Sequence, residues 1–298
     1  MKGLLFLIFI QLFSCSQKKE TDIYHMIQGD WVSERDIHDY SGRNLIFSFE
    51  DTSCAYLYAW GYSTSYRIEN DLLLIKETLF KSQEANAKRE ICTFKITKLV
   101  KDTIQIVPVS ERAKLTYELN EIKDTIDFIK IKQKNNIIPS KVSFFTSKCY
   151  GTCPSFFLEI DSTRQVKFYG NEYTEVLGGA KGIIDVQDYH ALMIKIQNLQ
   201  IDSIKTEYEA SWTDDQTCLV VIDYNKMRIQ SKVYGNSEEP IELRLIFHKL
   251  FEIARKLELE KDSTIKYSSF NHFSVFNNVF PPPPDIVKHL YTMPKVDE

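Results

Sequence analysis

The strongest constraint on the fold is a period-two alternation of apolar and polar residues that recurs between residues 26 and 133. The alternation is clearest in five segments: NLIFSFE (44–50), CTFKITKL (92–99), TIQIV (103–107), LTYEL (115–119) and TIDFIKIK (125–132). It is typical of strands with one buried and one solvated face. Turn-forming pairs stand at Asn70-Asp71 and Lys101-Asp102. No helical pattern interrupts the run, so we predict an all-β domain over 26–133, a meander of about eight or nine strands closed into a barrel or sandwich.

The tripeptide Gly29-Asp30-Trp31 opens this region, ahead of the first alternating strand. A Gly-x-Trp motif at this place resembles the lipocalin-like domains of bacterial lipoproteins. The resemblance covers the first domain only, and it implies a β-barrel in which Trp31 plugs one end. The alternative is that Trp31 is an ordinary core aromatic on a strand. Both interpretations bury its side chain.

The pattern changes after KNNIIPSK (134–141), a predicted linker in which Pro139 breaks strand pairing. Two predicted hairpins and two helical stripes follow, and the glycine-rich segment LGGAKG (177–182) is predicted to be a loop. The first helix is predicted over 185–199 with Asp185 as N-cap, and the second over 240–259 with Pro240 near its start. Two β-hairpins, each followed by a helix, predict an α+β domain over 138–262.

The N-terminal residues predict export. Met1-Lys2 precedes the apolar run GLLFLIFIQLF, which is typical of a secretory signal and too short for a membrane-spanning helix. The segment Leu12-Phe13-Ser14-Cys15 resembles a bacterial lipoprotein box, with Phe13 in place of the usual small residue. The resemblance implies a signal peptide over 1–14, lipid such as palmitate on Cys15, and a tether over 15–25. The alternative is an ordinary secretory signal with an incidental cysteine.

The same resemblance implies a location. Ser16 stands where an aspartate would retain a lipoprotein at the inner membrane of Gram-negative cells, so we expect the outer membrane. No dense acidic run follows Cys15, which favours the periplasmic face over the cell surface. The chain would then contact the membrane through the lipid on Cys15.

Five cysteines remain besides Cys15, an odd number, so at least one thiol is not paired within the chain. Three of them are disulfide candidates: Cys149, Cys153 and Cys218. A turn at Gly151 would let Cys149 reach Cys153, and closing that short ring would stabilise the fold by roughly 2 kcal/mol. A link from either cysteine to Cys218 would contribute roughly 4 kcal/mol, because the closed loop is longer. The sequence leaves the pairing open.

Spacing alone also allows a redox pair or a metal site at Cys149 and Cys153. A reactive cysteine is favoured at the N-terminus of a helix, whereas the strand-like segment SFFLEI follows this motif. Zinc sites use four ligands, usually in paired short spacings, and the six scattered histidines do not supply them. We therefore favour a structural disulfide and expect no metal and no cofactor.

The segment CYGTCPSFFLEI, the strand end KFYGN and the helix DVQDYHALMIKI together resemble a domain of unknown function of exported bacterial proteins that carries a C-x-G-x-C-P motif. The resemblance covers about residues 141–257. It implies no reaction, substrate or catalytic residue.

Other functional classes find little support. The formal net charge is −4, which argues against nucleic acid as a partner. No nucleophile elbow and no H-E-x-x-H motif is present, and GGAKG lacks the spacing of a phosphate loop. Asp214 and Asp215 could act as paired carboxylates or cation ligands, although a polar loop before a strand explains them equally well. We name no catalytic residue.

The last segment, 263–298, is an aromatic and proline-rich tail. Its aromatic residues are Phe270, Phe273, Phe276 and Phe280, and we expect them to dock on the protein's own surface.

Three functional hypotheses follow. The first is a lipid-anchored, non-catalytic protein that binds a small apolar ligand in its barrel or an envelope partner. The second is an envelope thiol-disulfide oxidoreductase that uses Cys149 and Cys153. The third is a purely structural envelope lipoprotein.

Overall fold

The computed structural model describes residues 22–33, 45–56, 63–78, 89–118, 125–212, 214–235 and 238–270. The chain is mostly β and separates into two compact units, Met1–Lys132 and Gln133–Glu298. The predicted signal peptide, the lipidation site Cys15 and most of the predicted tether lie outside the described residues. Among the described helices, none combines the length and apolar character needed to cross a membrane.

The first unit is an eight-stranded closed barrel in which each strand pairs with the next and β8 pairs with β1. Its strands are β1 (Gly29–Ser33), β2 (Ile46–Glu50), β3 (Ser53–Tyr56), β4 (Ser63–Glu69), β5 (Leu72–Thr78), β6 (Arg89–Val100), β7 (Thr103–Pro108) and β8 (Ile126–Lys130). Closure is antiparallel, with Trp31 opposite Lys130. The predicted barrel is therefore confirmed, and the turns at residues 70–71 and 101–102 connect β4 to β5 and β6 to β7.

Aromatic side chains fill the centre of the barrel. The Phe47 ring lies 4.9 Å from the Phe128 ring, 5.5 Å from that of Phe49 and 6.1 Å from that of Phe94. All four side chains are no more than 1% exposed. A cavity for a small molecule would leave accessible surface on its walls. The packing of these rings therefore weighs against a ligand at the barrel centre.

Residues 22–27 form a short helix, α1, that packs against the barrel core through Ile23, Tyr24 and Ile27. Trp31, on β1, is fully buried, and its indole Nε1 donates a hydrogen bond of 2.7 Å to the carbonyl oxygen of Ile27. The Lys130 ammonium lies 5.1 Å from the centre of the indole ring, and burial lowers the pKa of this lysine. The structure thus joins Trp31 to α1, while its role as a barrel plug stays a prediction.

The all-β prediction for this unit is wrong at LTYEL. Residues Glu111–Glu118 form a helix, α2, where alternation predicted a strand. Ser110 caps it, since its hydroxyl oxygen accepts a hydrogen bond of 3.2 Å from the Ala113 amide. Ala113 is fully buried in the barrel core. The cap and the small buried residue favour a helix, whereas alternation over five residues cannot exclude one.

The second unit contains one eight-stranded sheet in the order β13-β15-β14-β9-β10-β11-β12-β16. Its strands are β9 (Lys141–Thr146), β10 (Ser155–Asp161), β11 (Gln165–Glu172), β12 (Gly178–Ile183), β13 (Glu207–Glu209), β14 (Thr217–Tyr224), β15 (Met227–Tyr234) and β16 (Glu260–Lys261). The β14–β15 hairpin turns at Asn225 and Lys226, both at positive φ, as a tight hairpin requires.

Two helices cover one face of this sheet. Helix α3 (Val186–Asn198) has Asp185 as its N-cap, whose carboxylate accepts a hydrogen bond of 2.7 Å from the Gln187 amide, as predicted. Helix α4 (Ile241–Lys256) follows Pro240. The Phe144 ring of β9 lies 5.7 Å from Phe247 and 5.3 Å from Phe251 of α4. These aromatic contacts hold α4 against the sheet.

A buried ion cluster joins the two helices. The ammonium of Lys249, whose side chain is 1% exposed, lies 2.7 Å from an Asp188 oxygen on α3 and 3.1 Å from a Glu252 oxygen on α4. Lys256 also pairs with Glu252, at 2.7 Å. The apolar stripe of α4 therefore carries a charged contact at its centre.

The loop predicted at LGGAKG is wrong, because Gly178–Ile183 form strand β12. Glycine is depleted in strands unless another backbone comes close. Here a Cβ on Gly179 would lie 2.0 Å from the carbonyl oxygen of Ile265 and 2.6 Å from that of Asp262. The absence of a side chain at Gly179 therefore lets residues 262–265 pack against β12. As a result, four consecutive strands, β9 to β12, precede α3 in place of the predicted hairpin.

Residues 262–270, here called the strap, pack on the other face of the sheet. Phe270 is 2% exposed, and its ring stacks on Phe157 with centroids 5.1 Å apart. The Tyr267 ring meets Phe157 edge-on at 5.2 Å. The docking predicted for the tail is thus confirmed at Phe270, while Phe273, Phe276 and Phe280 lie outside the described residues.

The predicted linker is held in place at its start. The Asn135 side-chain amide donates to the carbonyl oxygens of Ile196 and Leu199, at 3.0 and 2.8 Å, at the end of α3. Lys134 pairs with Glu242 on α4. Asn135 therefore binds the C-terminal end of α3, and Lys134 binds α4.

Candidate binding surface

The cysteine motif forms a closed turn. Cys149 is disulfide-bonded to Cys153, with Cα atoms 5.6 Å apart, so the chain reverses through Gly151. Cys218, the third candidate, lies on β14, is 1% exposed and is not disulfide-bonded. The sequence left this pairing open, and the structure gives the short link. Both bonded cysteines are half-buried on the turn.

The three described cysteines outside the disulfide, Cys54, Cys92 and Cys218, are all buried. Burial raises the pKa of the Cys54 and Cys218 thiols well above the ordinary value, because a thiolate loses its hydration inside the core. Thiols of this kind are chemically inert.

A buried polar network anchors the cysteine turn to the sheet. The side-chain amide nitrogen of Gln216 donates to the carbonyl oxygens of Ser147 and Pro154, at 2.9 and 2.7 Å. The Thr146 hydroxyl donates to the same Pro154 oxygen at 2.6 Å, and the Thr217 amide donates to the Ser147 hydroxyl oxygen at 2.9 Å. Both ends of the turn are thus hydrogen-bonded to β9 and β14.

The turn lies between two other loops at one end of the sheet. Thr146, at the end of β9, is paired with Phe156 and Cys218, and Ser155 is paired with Glu172. The strand ends that carry these loops are therefore neighbours. We call these loops the rim loops: residues 147–154, 171–177, which include the last two residues of β11, and 210–216, of which residue 213 lies outside the described part.

Direct contacts join the rim loops. On one side the Tyr150 amide donates to the carbonyl oxygen of Asp214 over 3.4 Å. On the other side Lys148 pairs with Glu172, and beside this pair the Asn171 side-chain amide donates to the Ser155 hydroxyl oxygen at the start of β10 at 3.4 Å. The disulfide turn is the middle loop and contacts both of its neighbours.

Each rim loop presents one exposed aromatic side chain. Tyr150 is 81% exposed, Tyr173 is 58% exposed and Trp212 is 39% exposed, and Leu177 adds an apolar side chain that is 58% exposed. Exposed large apolar side chains that cluster on one surface indicate an interaction site, whereas single ones are common. We refer to these four residues as the apolar rim.

The Trp212 side chain is held in one orientation. Its Nε1 donates to a carboxylate oxygen of Asp215 at 3.0 Å, and that carboxylate's other oxygen accepts from the backbone amide of Gln216 at 2.7 Å. Gly235, with φ of 62°, supports the ring, since a Cβ there would lie 3.0 Å from the Trp212 Nε1. Asp215 is therefore used in positioning the indole.

The loop that carries Tyr173 is folded tightly against β11. A Cβ on Gly170 would lie 2.0 Å from the carbonyl oxygen of Val176, and the Thr174 hydroxyl donates to that oxygen at 2.9 Å. Tyr173 itself has a φ of 54°, a conformation that few non-glycine residues adopt. The close packing of this loop on β11 fixes the position from which the Tyr173 side chain projects.

The paired carboxylates considered from the sequence do not form a shared site. Asp215 binds Trp212, while Asp214 is exposed at a φ of 72°. The part of the chain that the structure describes contains no group of three or more His, Cys, Asp or Glu side chains arranged to hold a metal ion. Sequence analysis missed the apolar rim, because single aromatic residues in three separate loops carry no periodic pattern.

The apolar rim lies in the part of the chain that matches a protein family. Residues 140–254 match the family Domain of unknown function (DUF6438). The DUF6438 domain thus runs from β9 into α4 and contains all three rim loops. It stops before β16 and the strap. No curated protein and no solved structure matches the chain significantly. That the family is marked by the C-x-G-x-C-P motif stays a prediction.

Proposed function

We propose that this chain is a lipid-anchored, non-catalytic envelope protein that binds another envelope component through the apolar rim of its DUF6438 domain. The observation that carries the proposal is that three adjacent loops, joined by a hydrogen bond and an ion pair, each present one exposed aromatic side chain, at Tyr150, Tyr173 and Trp212. Tyrosine and tryptophan dominate the energetics of binding surfaces, because they bury a large area with few rotatable bonds.

Rigid presentation supports the proposal. The disulfide fixes the loop of Tyr150, the Asp215 hydrogen bond fixes the Trp212 ring, and the contact at Gly170 fixes the loop of Tyr173. A pre-organised surface loses less conformational entropy when a partner binds, and more of the contact energy then appears as affinity. The arrangement is of the kind expected for a binding surface.

The barrel is assigned no ligand in this proposal. Its central side chains pack against each other, and α1 and α2 each place apolar residues in its core. The first hypothesis offered a small apolar ligand in the barrel or an envelope partner. We therefore propose the envelope partner.

A second candidate, thiol-disulfide exchange at Cys149 and Cys153, is favoured by one contact. The Gly151 amide donates a hydrogen bond of 3.2 Å to the Cys149 sulfur and would stabilise a thiolate there after reduction. Against it, strand β10 follows the motif where oxidoreductases place a helix N-terminus. A reduction potential below about −300 mV would identify a structural disulfide and exclude this candidate.

Site-specific photo-cross-linking in intact cells tests the binding proposal. A photoreactive phenylalanine analogue replaces Tyr150, Tyr173 or Trp212 in turn, and Met227 serves as the control. Met227 is 55% exposed in the hairpin at the opposite end of β14. We expect the three rim positions to cross-link to the same partner and Met227 not to do so. Absence of cross-links at all three rim positions, or equal cross-linking at Met227, would reject the proposal.

A further inference from the structure

The charge on the rim loops indicates what kind of partner fits. The three loops contain four carboxylates, Glu172, Glu175, Asp214 and Asp215, and a single cationic side chain, Lys148. Lys148 pairs with Glu172, and the Asp215 carboxylate binds Trp212. Glu175 and Asp214 are exposed beside the apolar rim. The surface therefore combines aromatic faces with excess negative charge.

From this combination we infer that the partner is a cationic polypeptide segment whose arginine or lysine side chains contact the apolar rim. The inference rests on the proposed function and specifies the partner for the same surface. Guanidinium groups stack on the faces of tyrosine and tryptophan and donate hydrogen bonds to carboxylates. Tyr150 and Asp214 bring these two types of contact together, since their backbones are hydrogen-bonded across adjacent loops.

Charge also separates this partner from others with similar apolar contacts. A neutral glycan can stack on aromatic rings but gains nothing from the carboxylates. An anionic membrane surface or nucleic acid is repelled by them. A cationic segment gains from both features, and its binding weakens as salt screens the charges.

The inference is tested by fluorescence anisotropy with the full-length protein in neutral detergent. The probes are a labelled hexapeptide of alternating arginine and glycine and a matched peptide with glutamate in place of arginine. We expect only the arginine peptide to bind, with a dissociation constant that rises several-fold between about 20 mM and about 300 mM NaCl.

The matched variants separate the rim charges from the overall charge. The double variant Glu175→Gln/Asp214→Asn removes both exposed carboxylates, and asparagine tolerates the positive φ of residue 214. The control Asp202→Asn/Glu258→Gln removes two exposed carboxylates outside the rim loops. We expect the rim variant to bind the arginine peptide about tenfold more weakly and the control to bind it as the parent does.

Two results of the peptide-binding assay would overturn the inference. One is equal binding of the glutamate peptide, and the other is unchanged binding of the arginine peptide by the rim variant. Photo-cross-linking distinguishes failure of the inferred cationic partner from failure of the proposed binding function. Cross-links at Tyr150 that persist in the variant without the Glu175 and Asp214 carboxylates would support the proposed binding function and reject the cationic partner. Absence of cross-links at all three rim positions of the parent protein would reject both.

Discussion

The side-chain amide of Gln216, just before β14, donates a hydrogen bond of 2.7 Å to the carbonyl oxygen of Pro154, just before β10, although β9 lies between these two strands. The same amide holds the Ser147 oxygen at 2.9 Å, so one buried side chain spans both ends of the cysteine turn. Gln216→Ala leaves the Ser147 oxygen without this donor. We expect the free energy of unfolding to fall by about 1–3 kcal/mol in urea denaturation, the cost of a buried polar group that loses its partner.

The matched control for this prediction is Gln187→Ala, an exposed glutamine on α3. Its effect should stay within about 0.5 kcal/mol, as for most surface substitutions. Equal effects of the two substitutions would show that Gln216 does not support the turn.

Removal of the disulfide is expected to have a modest effect on stability. The variant Cys149→Ser/Cys153→Ser opens a ring of only five residues, since the cysteines are four positions apart. Chain entropy then gives a loss of about 2 kcal/mol, measured as the change in unfolding free energy under oxidising conditions. Reductant should destabilise the parent protein by a similar amount and leave the variant unchanged. A response of the variant to reductant would place a disulfide elsewhere.

The buried thiols make stability depend on alkaline pH. The pKa values of Cys54 and Cys218 are raised in the folded state by burial, whereas unfolded thiols ionise near pH 8.5. The folded state therefore binds more protons above that pH, and its stability should fall as the pH rises from about 8.5. Below it the contribution is complete. Denaturation at pH 7 and pH 10 checks the sign, with Cys54→Ala/Cys218→Ala reducing the difference.

Lys249 should be sensitive to loss of its charge. Lys249→Met removes the cation buried between Asp188 and Glu252, and we expect a loss of about 3–5 kcal/mol at pH 7, as for other broken buried pairs. Lys261→Met, on the exposed strand β16, is the control with little expected effect. An equal loss of stability in Lys249→Met and Lys261→Met would contradict a special role for the buried cation.

Phe270 is expected to hold the strap on the sheet. Phe270→Ala removes the ring stacked on Phe157, and we expect a loss of about 2–4 kcal/mol together with faster hydrogen exchange at residues 262–270. Tyr267→Ala should cost less, since that side chain is 53% exposed. Unchanged exchange in Phe270→Ala would mean that the backbone contacts at Gly179 alone secure the strap.

Periodicity predicted those elements whose side chains face a single core. The alternation in β6, β7 and β8 and the helical stripe of α4 are of this kind, because burial on one face is what the pattern records. It failed at α2, where the deciding features were the cap at Ser110 and the burial of Ala113. It failed again at β12, where glycines serve an approach by residues about 80 positions further along the chain.

The candidate site was predictable only in part. The C-x-G-x-C-P spacing predicted a turn at Cys149 and Cys153 and favoured a disulfide. The apolar rim was not predictable, because the loops that carry Tyr150, Tyr173 and Trp212 are brought to one end of the sheet only by the order of its strands. Long-range pairing of this type leaves no local pattern.

The strap has a consequence for synthesis of the chain. The matched family segment ends at residue 254, before the residues that cover Phe157 and Phe145 have been made. A nascent or truncated chain that ends at residue 254 would leave this apolar sheet face exposed to other protein molecules. The segment needed to cover this sheet face is therefore longer than the segment that matches the family, because β16 and the strap lie beyond residue 254.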